Sequence, residues 1–284
     1  MGAFSFPTVN CLQMPGNGGA ATPSVLRPLE KVLHGVAAGG FTHVGIDNFS
    51  VRDHVRCGAG LDRLRDLLDR LELTCSDVGV LRIGDPETTV AAAGEMSRLA
   101  AATGAAICTT ALDVVPGPQA VDTLRRCADV LAAEGIRMAL EFLPYSPLST
   151  LRAARAVCAA VGVDRCGVLI DTWMFFRGDN SFAELEQVRA EEIGYVQFDD
   201  APRPAGADVV RESRHRRVVP GAGTFDLARF AAAVVAAGFD GLVSIEVLSA
   251  DFRALEPVEQ ARRALASARS CWPAISQAAK GIPA

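Results

Sequence analysis

The chain has no Cys-x-x-Cys pair, no basic stretch denser than the four arginines of 211–217 and no long apolar run, and only four of its 284 residues are histidine. Each lack narrows the field. Without a larger cluster of Lys and Arg, and with a net charge of −5 and a pI of about 5.5, the chain has no electrostatic footprint for nucleic acid. No stretch reaches ~18 unbroken apolar residues, so no membrane-spanning helix and no membrane partner are expected. The eight cysteines, at 11, 57, 75, 108, 127, 158, 166 and 271, lack metal or redox spacing. Several sit inside apolar patterns, where a thiol behaves as a small hydrophobe. With no secretory leader ahead of the first strand pattern, reduced thiols in the cytoplasm are expected. No Gly-x-Gly-x-x-Gly turn follows that strand, which weighs against an open dinucleotide-binding sheet.

What is present is alternation. Half of the residues are apolar, enough for a large core. Short apolar runs at 4–10, 43–47, 74–79, 106–110, 137–142, 167–171, 195–198 and 242–247 read as parallel strands covered by helices. Helix patterns lie between them, at about 61–71, 85–103, 118–134, 148–160, 181–192, 224–237 and 255–270. Asp85 and Pro86 read as an N-cap and first helical residue, and Gly104, Gly135, Gly162 and Gly238 as helix stops. Such alternation implies right-handed βαβ units. An ordinary α/β barrel runs to roughly 250 residues, so the expected fold is one (β/α)8 barrel. It forms a single domain over 1–284, with the barrel over about 4–271 and a short C-terminal tail.

In such a barrel the C-terminal strand ends face the active-site mouth. The fifth strand ends at Glu141 and the sixth at Asp171. The seventh carries Gln197 ahead of Asp199 and Asp200, and the eighth ends at Glu246. Any one of these carboxylates could be held by an arginine or by backbone donors at the rim, because a buried carboxylate without a partner is costly. As a set they are more economically explained by one shared divalent cation, which suits hard oxygen ligands.

At these residues the chain resembles the xylose-isomerase-like barrel superfamily, in particular its sugar phosphate isomerase/epimerase group with D-tagatose 3-epimerase-like and inosose-dehydratase-like members. The matching segments are 139–142, 169–177, 194–202, the Pro-Gly-Ala-Gly run at 220–223, and 238–246. The resemblance follows element order through nearly the whole chain and is specific in its second half. It implies one divalent metal on Glu141, Asp171, Gln197 and Glu246. It also implies that Glu141 and Glu246 exchange the proton beside a substrate carbonyl. An all-oxygen set points to Mn2+, with Mg2+ or Co2+ next and Zn2+ behind them. Two departures stand out: Met174 occupies a place where many relatives carry a substrate-holding histidine, and Ala222 replaces a frequent glutamate between the loop glycines. Endonuclease IV, a more distant zinc-dependent relative, fits poorly, since its site is rich in histidine.

Several further residues are candidates for substrate contact. Trp173 and Met174 would form an apolar wall, whereas Phe175 and Phe176 read first as loop packing. Arg217, and His215 within the Arg-rich run 211–217, would grip an oxygen or phosphate or else form rim contacts. Asn10, Asp47 and Thr110 end strands, where they either line the pocket or close hydrogen bonds within the barrel. His54 lies near the mouth, while His34 and His43 do not. The leading function is a metal-dependent isomerase or epimerase acting on a keto sugar, cyclitol or related small hydroxy-carbonyl compound through an enediolate. A dehydratase sharing the first step, with room for an aromatic or polyketide-like substrate, is the second. A ligand-binding barrel without turnover is the third. A homodimer stays open as the assembly, since barrels of this group often dimerise.

Overall fold

A computed structural model describes residues 3–16 and 22–272. Eight parallel strands close into a barrel. We number them β1 (Phe4–Pro7), β2 (His43–Asp47), β3 (Thr74–Ile83), β4 (Ile107–Leu112), β5 (Arg137–Glu141), β6 (Cys166–Asp171), β7 (Ile193–Gln197) and β8 (Val243–Ser244). Closure is made by β1, which pairs with β8 on one side and β2 on the other. All eight barrel strands run the same way, so each ends at the same face, and helices return the chain to the opposite one; Leu12–Gln13 and Ser24–Val25 form a separate antiparallel pair. Among the described residues no helix is long and apolar enough to cross a membrane, and all eight cysteines are free.

Local sequence chemistry explains most element boundaries. Asp85 caps the helix Pro86–Thr103 by accepting from Thr88 N at 3.1 Å. The four glycines read as helix stops all adopt positive φ, where a Cβ would be strained. The expected helix at 181–192 is instead the short helix Phe182–Leu185 and a 3-10 turn Ala190–Glu192. Glu192 is drawn back to the Arg189 amide and across to Arg155, and those contacts replace a continuous helix.

The strands differ most at β3 and β8. The third continues four residues past Gly79, because this glycine does not break the strand; it lets β4 approach, and a Cβ there would clash with Thr109 Oγ1. The eighth pairs over only two residues, after which Asn10 takes over. Its side chain donates to Ile245 O (2.9 Å) and accepts from Val247 N (2.7 Å), bracketing Glu246 on both sides.

The Pro-Gly-Ala-Gly loop has a structural explanation. Asp200 accepts from the amides of Gly221 (3.1 Å), Gly223 (2.9 Å) and Phe225 (3.0 Å), so the loop wraps one buried carboxylate. A Cβ on Gly223 would strike Asp200 and Ala201. Replacing Gly223 with alanine is therefore expected to cost about 1–3 kcal/mol, readable by chemical denaturation.

Candidate active site

At the strand ends lies a cavity of about 570 Å3, lined among others by Asp47, Asp77, Glu141, Met174, Gln197, Arg217 and Glu246. Its polar centre is built by β5 to β8. Asp171 ends β6 and caps the next helix, Thr172–Arg177, accepting from Met174 N at 3.0 Å through Oδ1. Its other oxygen, Oδ2, faces Arg217 Nη1 at 2.7 Å. The same nitrogen lies 2.5 Å from Asp199 Oδ2 and 3.2 Å from Glu246 Oε2. Gln197 Nε2 donates to Glu246 Oε1 at 2.9 Å, and Thr172 Oγ1 donates to Asp199 Oδ1 at 2.6 Å. One guanidinium is thus the cation that three carboxylates share.

Arg217 is only 1% exposed. Its Nε donates to Ser213 O at 2.9 Å, and its guanidinium lies 5.6 Å from the centre of the Trp173 ring. Burial works against its charge, but Asp171, Asp199 and Glu246 outweigh burial and hold it charged well beyond its ordinary range. Glu246, Glu141 and Asp199 feel the reverse balance, since burial outweighs the pull of the guanidinium on each. Burial pushes Glu246 up to about 7 against the pull of Arg217, with Asp171 and Asp77 adding to the rise. Burial also lifts Glu141 well above the usual carboxylate range, with Asp171 and Glu246 adding to it. Asp199 rises for the same reasons, burial first and then Asp171. A carboxyl held near 7, as that of Glu246 is, can take and return a proton near neutral pH.

The donor set suits a hard cation. Gln197 Oε1 is buried and has no hydrogen-bond partner, and carboxylates remain in excess after Arg217 has been counted. Among the described residues, however, no three His, Cys, Asp or Glu side chains are grouped as metal ligands; Asp171, Asp199 and Glu246 gather on Arg217 instead.

The other expected substrate residues divide. Met174 lines the cavity, whereas Trp173 is packed behind Arg217 with its ring edge-on to Tyr145. Phe175 and Phe176 pack with Phe182, Phe225 and Phe230. Asp47 lines the wall and caps the helix Asn48–Arg56, accepting also from Thr8 Oγ1 at 2.6 Å. His215 does not line the cavity: its ring nitrogens meet Pro15 O (3.1 Å) and Arg253 Nη1 (3.0 Å). Asn10 is also absent from the wall, because its amide is spent on the backbone flanking Glu246. Thr110 bonds to Cys108 O at 3.1 Å, and its neighbour Thr109 faces the cavity instead. Two adjacent threonines on a strand point to opposite faces, and nothing in the pair itself says which one faces inward. His34, His43 and His54 are likewise outside the lining.

Sequence reasoning missed Tyr145, Arg82, Asp113 and Asp77, and reached Arg214 only as one of the four arginines in the run 211–217. Asp77 accepts from Tyr195 Oη at 2.8 Å and Ser76 Oγ at 2.7 Å inside the barrel. Gly45 leaves room for it, since a Cβ there would sit 2.5 Å from Asp77 Oδ1. An aspartate in mid-strand was the available signal.

Residues 36–271 match the xylose isomerase-like TIM barrel family. The chain belongs to this family. It is 36% identical over 134 residues to a 3-dehydroshikimate dehydratase of Pseudomonas aeruginosa, covering 47% of this chain and 21% of that protein. It is 27% identical over 141 residues to an inosose isomerase of Bacillus subtilis, covering 49% of this chain and 50% of that one. The chain therefore spans a fifth to a half of the curated relatives it matches. In shape it resembles the IOLI protein with a bound zinc atom, at a TM-score of 0.81 and 18% identity, covering 95% of this chain and 98% of that one. The likeness in shape shows the fold alone. The relatives are enzymes, one a dehydratase and one an isomerase.

Proposed function

We propose that this chain is a divalent-metal-dependent enzyme that removes the proton beside the carbonyl of a small hydroxy-ketone and then expels the β-hydroxyl as water. The observation carrying this reading is the gathering of Glu141, Gln197, Arg217 and Glu246 on one cavity wall, with Asp171 behind them. Glu141, Asp171, Gln197 and Glu246 would hold the metal, which when bound supplies Lewis-acid polarisation of the carbonyl and hydroxyl oxygens. Manganese is the first ion to test, from the all-oxygen donor set; zinc follows, because a neighbour in fold binds it.

Glu246 takes the proton, and the electron pair moves to the carbonyl oxygen as an enolate. Arg217, fixed beside Glu246, carries the positive charge that faces the developing oxyanion. As the enolate pair re-forms the carbonyl and its C=C pair shifts to break the β-carbon–oxygen bond, Glu141 donates the proton that turns the departing hydroxyl into water. Returning it to carbon instead gives isomerisation or epimerisation, the second reading, which the inosose isomerase relative favours. Dehydration is preferred because the higher identity is to a dehydratase and because Val9, Met14, Phe49, Leu143 and Leu248 make much of the wall apolar.

Metal-loaded protein incubated in D2O with 3-dehydroshikimate and, separately, with an inosose is expected to lose water from the first or to exchange deuterium into one of them. Chelation is expected to abolish both, and Mn2+ to restore them. Tight ligand binding without exchange or product would instead mark a barrel that no longer turns its ligand over.

A further inference from the structure

Three arginines line the cavity, and two are committed. Arg217 is held by Asp171, Asp199 and Glu246. Arg82 is held by Asp113, with Nε at 3.0 Å from Oδ2 and Nη2 on Oδ1. The third, Arg214, is half-buried in the last turn of the helix Val209–His215. Only its backbone oxygen is engaged, by Arg253 Nη2 at 2.6 Å; among the described residues its guanidinium has no carboxylate or hydrogen-bond partner. The lining contains no lysine or histidine, so Arg214 is the uncommitted cation of the described wall. It also lies within electrostatic reach of the reacting groups, since Tyr145 feels the charges of Glu141, Arg217 and Arg214 together.

We infer that the substrate bears a single carboxylate and that Arg214 holds it, an inference that rests on the proposed hydroxy-ketone chemistry. A guanidinium presents a planar fork that matches a carboxylate with two parallel hydrogen bonds. A phosphate fits less well. Its second charge would need a further donor, while Asp47, Asp77, Asp113, Glu141 and Glu246 all face the same space. A neutral polyol would leave Arg214 without a counter-charge. The substrate is therefore a hydroxy-keto acid, oriented with its carboxylate on Arg214 and its carbonyl towards Glu141 and Glu246.

The test uses 3-dehydroshikimate, its methyl ester (the same skeleton without the charge) and a neutral inosose, with metal-loaded wild-type, R214K and R214L protein. R214L is expected to lower kcat/KM for the acid roughly 10- to 100-fold, the range for losing a hydrogen bond to a charged group. The ester, which keeps an acceptor oxygen but no charge, should lose clearly less than the acid, R214K should be intermediate on the acid, and the unfolding midpoint should stay unchanged because among the described residues the guanidinium has no partner. Equal losses on acid and ester, or no loss on the acid, would overturn the inference. So would turnover of inosose alone, and in that case the proton-abstraction chemistry would stand. If no compound is turned over, calorimetric binding of the acid decides. Binding weakened by R214L keeps the carboxylate site while the proposed reaction fails, and absence of binding overturns both.

Discussion

Replacing Glu246 with glutamine is expected to lower turnover by about a hundred- to ten-thousand-fold, the usual contribution of a positioned general base. The substitution keeps size and hydrogen-bonding capacity, so Gln197 and the Asn10 brackets on either side of residue 246 are retained. What it removes is the one carboxylate that burial has raised to about 7. Solvent-deuterium incorporation into substrate should fall in parallel with product formation, because both require the proton to leave carbon. Exchange at the wild-type rate would exclude Glu246 as the base. Metal content measured on the same sample separates loss of the base from loss of a ligand. Glu141→Gln should behave differently under the dehydratase reading: in protein that retains its metal, exchange persists while loss of water slows.

Arg217→Met is expected to destabilise the metal-free protein by about 3–5 kcal/mol, the penalty for removing one partner from a buried ion cluster. The side chain is almost wholly enclosed, and Asp171 and Asp199 are as deeply buried. Without the guanidinium, they and Glu246 would face one another with no positive charge between them. Methionine keeps an unbranched apolar side chain in place of the arginine stem, so most of the loss is electrostatic, including the guanidinium's place over the Trp173 ring. Denaturant unfolding in the presence of a chelator measures it. Added divalent metal should recover a larger share of stability in the variant than in the wild type, because wild-type Arg217 already neutralises the acids. Equal stability of the two proteins would show that Arg217 does not hold the cluster together.

These two residues show how unevenly the site was written in the sequence. Glu246 was legible because it ends an apolar run, and the C-terminal ends of parallel strands share one face whatever the remaining chain does. Glu141, Asp171 and Gln197 were legible for the same reason. Arg217 could be named as a candidate for a substrate oxygen, but its partners could not. It belongs to the segment after β7, where no periodicity constrains direction, and only its docking between Ser213, Trp173 and the carboxylates decides that it faces inward. Asn10 and His215 show the converse, since both sit near the mouth in sequence while their polar atoms are taken by backbone or by Arg253. Thr109 and Thr110 differ by one step of the pleat, which a short strand with two threonines in succession leaves ambiguous.

By itself the sequence determined the alternation of strands and helices, the capping of helices at Asp85 and the glycines, and the four oxygen-bearing side chains at the ends of the last four strand runs. These follow from local periodicity and turn chemistry, which act over a few residues. The tertiary structure alone decided that Arg217 stands among those carboxylates, that Asp77 rises from within the barrel to join the wall, and that among the described residues the Arg214 guanidinium is left without a partner. Such facts depend on contacts between segments far apart in the chain, and a charge is committed or free only once every neighbour is in place.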